Sequence, residues 1–104
     1  MAKYLFVYHG GGKPKNDAEM KKVMDAWGKW MGGMGSAIVD GGHPVGMSST
    51  VNSDGSVANN GGANPVSGYS LIEAATLEGA LAHAKGCPIL ASGGSIEVVE
   101  ALDM

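Results

Sequence analysis

The sequence predicts a small α+β domain with the element order β-α-β-β-α-β. Three observations carry that prediction. Runs rich in strand formers stand at the start, the middle and the end of the chain, as "YLFVY", "SGYSLIEA" and "GGSIEVVEAL". Two segments between them place apolar residues at the spacing of an amphipathic helix. Glycine clusters, from 18 glycines in 104 residues, punctuate the boundaries.

The first strand is predicted over residues 4–8. Its two alternating sets, Tyr4/Phe6/Tyr8 and Leu5/Val7, are both apolar, the pattern of a strand covered on both faces. One face can pack on the chain's own helices, and the other needs a cover such as a second subunit. Residues 10–15 form a loop, after which Asn16 or Asp17 caps a helix with Glu19 in its first turn. Met20, Val23, Met24, Trp27, Trp30, Met31 and Met34 make the helix's apolar stripe, and Gly32, Gly33 and Gly35 end it. "SAIVD" (36–40) reads as a short strand and "GMSSTVN" (46–52) as the next one. Asp54-Gly55 suits a tight turn, so an extra hairpin fits within 46–58. Residues 58–65 form a polar, glycine-rich loop inside the domain. A strand over 67–74 follows. Thr76 caps a second helix with the stripe Leu77, Ala80, Leu81 and Ala84, stopped by Gly86 with Pro88 soon after. Residues 93–102 close the chain as a strand. Two helices on one face of an antiparallel sheet make this order a ferredoxin-like sandwich. The second apolar sheet face predicts a dimer that stacks sheet on sheet.

The length suits one domain, 1–104. Hydrophobic residues at 44% allow a core, while glycine far exceeds its usual share of about 7%. So small and loop-rich a domain gains from burying a further face against a partner. The net charge of -3 leaves no basic stripe to displace counterions, which argues against nucleic acid as the main partner. Lys13, Lys15, Lys21, Lys22 and Lys29 are offset by Asp17, Glu19 and Asp25 and read as a solvated helix face. The single cysteine, Cys87, forms no intrachain disulfide and suits a reducing compartment. No secretory-signal pattern and no membrane-length apolar run stands in the sequence, so a cytoplasmic setting is expected.

"YHGGGKPK" (8–15) is the most suggestive stretch for chemistry. An HGGG loop can donate backbone N–H groups to an oxyanion, but that chemistry needs a serine on a G-x-S-x-G elbow, and the sequence has none. A phosphate loop needs the spacing G-x-x-x-x-G-K-[ST], also absent. The glycines read best as a flexible exit from the first strand, with room for a small anion near the helix start. His9 ends that strand, and His43 follows Asp40 in a turn. A carboxylate that fixes an imidazole tautomer can perform acid–base work, so His9, Asp40 and His43 are the catalytic candidates. His83 reads as a surface residue of the second helix. Trp27, Trp30 and Tyr69 are the candidates for lining a ligand pocket. No H-x-x-x-H or C-x-x-C spacing points to a metal, and no cofactor is expected. Cys87, before Pro88, reads as a structural thiol.

The segments "KYLFVYHGG", "GSAIVDGGHPVG", "NSDGSV", "SGYSLIEA", "TLEGALAHAKGCP" and "GGSIEVVE", with the tryptophan-bearing helix, together resemble the YCII-related (DGPF-type) domain family over nearly the whole chain. The resemblance implies a ferredoxin-like fold in a dimeric α/β-barrel type of assembly. It implies either a small-molecule or regulatory role, or an enzyme whose His–Asp pair lies in a cleft. Met24 stands near the position of the first-helix histidine of the YciI-like branch, and "ANNGGANPVSGY" stands in the region of the DGPF segment. Asp40 is the acidic residue to which a catalytic role would carry over. The expectation is therefore a homodimer that binds a small molecule or serves regulation, with a His–Asp enzyme as the alternative.

Overall fold

A computed structural model describes residues 1–12, 14–60, 62 and 64–103. Lys13 of the predicted charged face, and Gly61 and Ala63 of the predicted 58–65 loop, lie outside the described residues. The chain is an α+β domain with a four-stranded antiparallel sheet and two α-helices. In chain order the elements are β1 (Ala2–His9), α1 (Asp17–Met34), β2 (Ile38–Asp40), β3 (Thr50–Val51), β4 (Val57–Ala58), β5 (Val66–Ala74), α2 (Leu77–Ala84) and β6 (Ser95–Ala101). The main sheet runs β2-β5-β1-β6, and β3 pairs with β4 as a separate hairpin. Because β5 lies antiparallel between β1 and β2, each helix crosses over a strand inserted between its two neighbours. This arrangement is compatible with a ferredoxin-like fold.

The register decides which residues meet the helices. Tyr4, Phe6 and Tyr8 sit opposite Ile72, Ser70 and Gly68 of β5 and opposite Glu100, Val98 and Ile96 of β6. Tyr4, Phe6, Tyr8 and Ile72 form the core with Met34 of α1, Ala80 and Ala84 of α2, and Cys87 and Ile89 beyond it, and Ile96 and Val98 pack against it. Leu5 and Val7 point the other way, beside Leu71 of β5 and Val99 of β6. They belong to a sheet face that no helix among the described residues covers. Phe6 is wholly buried on the helix side, so it is a core residue and takes no part in that uncovered face.

Local chemistry sets the helix ends. The Asn16 side chain accepts from the Glu19 N–H at 2.9 Å, and the Glu19 carboxylate accepts from the Lys15 N–H at 2.8 Å, a reciprocal cap. Thr76 accepts from the Gly79 N–H at 3.1 Å to start α2. The predicted stop at Gly32 and Gly33 does not occur, and both lie inside α1. Buried Met34 anchors the last turn, and Gly35, at φ +55°, ends it. The predicted strand at 36–40 shortens to Ile38–Asp40, because residues 35–37 turn as a 3-10 helix. Only Thr50–Val51 of the predicted 46–52 strand pairs. A second 3-10 turn, Pro88–Leu90, carries the chain from α2 towards β6.

Candidate functional site

A cavity of about 320 Å³ opens where β1, α1 and β5 meet the segment that follows β2. Tyr8, Trp27, Met31, His43, Tyr69 and Ile89 are among the residues that line it. The aromatic wall is built by the helix stripe and the strand register together. Trp27 meets Tyr8 edge-on with ring centroids 5.0 Å apart, and Trp30 meets Trp27 edge-on at 5.5 Å. Trp30 stacks on Phe6 instead of lining the cavity, and its Nε1–H donates to the His83 carbonyl at 2.8 Å. This bond ties α1 to α2. Of the three residues expected at a pocket, Trp27 and Tyr69 line the cavity and Trp30 buttresses it.

The far wall, residues 41–45, extends β2 along β5. The Tyr69 N–H donates to the His43 carbonyl at 3.3 Å, and the Val45 N–H donates to the Ser67 carbonyl at 3.0 Å. Gly42 makes that approach feasible. It has φ +71°, and a Cβ there would lie 1.8 Å from the Tyr69 carbonyl oxygen. Asp40 supports the turn, its carboxylate accepting from the Gly42 N–H at 2.8 Å. A hydroxyl chain closes the inner wall: Tyr8 donates to Ser70 Oγ at 2.7 Å, and Ser70 donates to the Gly41 carbonyl at 2.7 Å. Burial pushes the Tyr8 phenol up to about 12, with the Ser70 hydrogen bond acting in the opposite direction. Tyr8 is therefore a neutral donor across the ordinary pH range. Ser67, whose hydroxyl is buried without a hydrogen-bond partner among the described residues, stands between this cavity and an outer groove beside Gly10 and Pro65.

The three acid–base candidates do not converge. His9 is buried on β1, with Nε2 2.6 Å from Glu97 Oε1 and Nδ1 3.2 Å from the Pro65 carbonyl. Both ring nitrogens are thus engaged, and the ring clamps the start of β5 to β6. Asp40 holds its own turn, and no hydrogen bond or ion pair joins it to His9 or His43 among the described residues. The expected His–Asp pair is therefore replaced by a His9–Glu97 pair. The reason is positional: residues 40 and 43 lie at one sheet edge and His9 at the boundary with the opposite edge strand. His43 alone of the three reaches the cavity, its ring edge-on to Tyr69 at 6.2 Å.

Glu97 and Gly42 carry no mark in the sequence that singles them out. Ser70 alone offers a signal, as the one hydroxyl in the core-facing set Gly68, Ser70, Ile72 and Ala74. The glycines after His9 form the strand exit. Gly10 and Gly11 have positive φ, and the Gly12 N–H donates to the Ser92 carbonyl. At the start of α1 the side chains of Asn16 and Glu19 occupy the N–H groups of Glu19 and Lys15. Cys87 is buried, and burial raises its thiol pKa. No group of three His, Cys, Asp or Glu able to hold a metal occurs among the described residues. No helix among them is long and apolar enough to cross a membrane. No protein-family model matches the chain, and neither does any curated protein.

Proposed function

We propose that the cavity beside Trp27 binds a small, largely apolar molecule, in a homodimer formed by stacking the uncovered sheet faces of two copies. The observation that carries the reading is the wall itself. Tyr8, Trp27, Met31 and Ile89 surround about 320 Å³ with carbon, at the lower end of the range of about 300–1,000 Å³ typical of small-molecule sites. Few polar groups meet the cavity, and the Tyr8 hydroxyl is already bonded to Ser70. Shape and apolar contact would therefore select the ligand. The order of strands and helices supports a YCII-related, ferredoxin-like reading with a ligand-binding or regulatory role. The acid–base reading has less support, because Asp40 and His9 are engaged elsewhere.

Indole titrated into isotope-labelled protein and followed by NMR tests the site. The expected result is saturable shifts at the Trp27 indole and at residues 42–44 and 69, lost in Trp27→Ala. Absence of shifts at millimolar indole, or shifts spread over the uncovered sheet face, would overturn it.

A further inference from the structure

We infer that the β3–β4 hairpin is an arm that grips a second copy of this chain, with Val51 and Val57 packed on the uncovered face of that copy's sheet. The inference rests on the homodimer reading above and names the element that secures it.

The arm has no core of its own. Its strands are two residues each, they pack chiefly on one another, and they belong to no larger sheet. A two-stranded hairpin alone in water is at best marginally stable, so an ordered arm calls for a surface to rest on. Val51 and Val57 are cross-strand partners on one face of the hairpin, and they are 69% and 61% exposed. Met47, at the arm's base, is 98% exposed. The turn is built for order: Gly55 takes φ +88°, the Asn52 N–H donates to the Ser56 carbonyl at 2.8 Å, and Asp54 accepts from both the Ser56 hydroxyl and N–H. A rigid tip holds the valine pair outward.

The size of the molecule argues for a second copy as the occupant. The chain exposes 7034 Å², whereas a folded monomer of its mass exposes about 5,400 Å². The excess is above the roughly 800 Å² that each partner buries in a stable interface. The radius of gyration is 15.0 Å, against about 13 Å for a compact chain of this length. The slab measures 43 × 42 × 18 Å, a flat shape that leaves broad faces exposed. The two surfaces match in chemistry. The strands of the arm carry no charge. On the sheet face Leu5, Val7, Leu71 and Val99 cluster, Lys3 lies opposite Glu73, and Glu97 is paired with His9. Arm strands without charge thus meet a sheet face where Lys3 and Glu73 are cross-strand neighbours and Glu97 is bonded to His9 of the same chain.

Sedimentation velocity over a micromolar concentration series tests the inference on the wild-type chain and on Val51→Asp/Val57→Asp. Both valines are exposed in the single chain, so the variant should keep its near-ultraviolet circular dichroism. The expected result is a wild-type dimer and a dissociation constant at least about a hundredfold weaker in the variant, since two carboxylates would be buried at the contact. A variant that dimerises as well as the wild type overturns the arm and leaves the sheet-on-sheet dimer standing. A wild-type monomer overturns both. Should the variant not fold, hydrogen exchange on the wild type decides. Protection of residues 50–58 that is lost on dilution supports the arm, and rapid exchange at every concentration overturns it.

Discussion

Tyr8 concentrates the residue-scale physics. Its ring belongs to the core, its hydroxyl to a relay through Ser70 to the Gly41 carbonyl, and its edge to the cavity. The fold keeps the phenol neutral to about pH 12, where an unperturbed tyrosine titrates at 10.0. Below the lower value both folded and unfolded chains hold the proton, and the group adds no slope to stability. Between about 10 and 12 the unfolded chain releases a proton that the fold retains, so stability falls as pH rises. An absorbance titration at high pH should show a late phenol step that disappears in Tyr8→Phe. The same variant should flatten the alkaline decline of the urea midpoint. The companion relay of His9 to Glu97 joins positions 88 apart in sequence. Nothing local in "VYHGG" names that partner, because the register of β1 on β6 sets it.

At the scale of elements, turns and caps are the legible part. Asn16 and Thr76 announce their helices because capping acts over three residues. Asp54-Gly55 announces its hairpin because Gly55 takes a positive φ that few other residues tolerate. Strand lengths are less legible. "SAIVD" is apolar enough for five strand residues, yet the chain must first turn out of α1, and only Ile38–Asp40 reaches β5. The continuation of β2 past Asp40 is hidden for a related reason, since it depends on Gly42 passing against Tyr69. Gly42→Ala should therefore peel residues 41–45 from β5 and open the cavity. A loss of at least about 2 kcal/mol in chemical denaturation is expected, as backbone clash and positive φ act together. Gly46→Ala, in open space with no positive φ, is the matched control.

At the scale of the whole molecule, the two faces of β1 separate folding from assembly. The sequence shows both faces of "YLFVY" as apolar but not which one the helices take. The register assigns Phe6 to the core and Val7 to the uncovered face. Phe6→Asp should abolish cooperative unfolding, because a carboxylate would be buried without a partner. Val7→Asp should leave a folded chain with the wild-type far-ultraviolet spectrum that sediments as a monomer. A dimeric Val7→Asp would place the interface elsewhere. The candidate site divides in the same way. Its aromatic wall follows from helical spacing and is legible, whereas the wall from Gly41 to Pro44 depends on tertiary pairing and is not.

The two indoles have a consequence of an optical kind. Trp27 faces the cavity, while Trp30 is moored to the His83 carbonyl, and their centroids stand 5.5 Å apart at a steep angle. Chromophores so close and so inclined share their excitation. One indole is thus fixed by its hydrogen bond, and the other lines the cavity wall. On the ligand-binding proposal, a guest with no absorbance of its own should still change the near-ultraviolet circular dichroism of the pair.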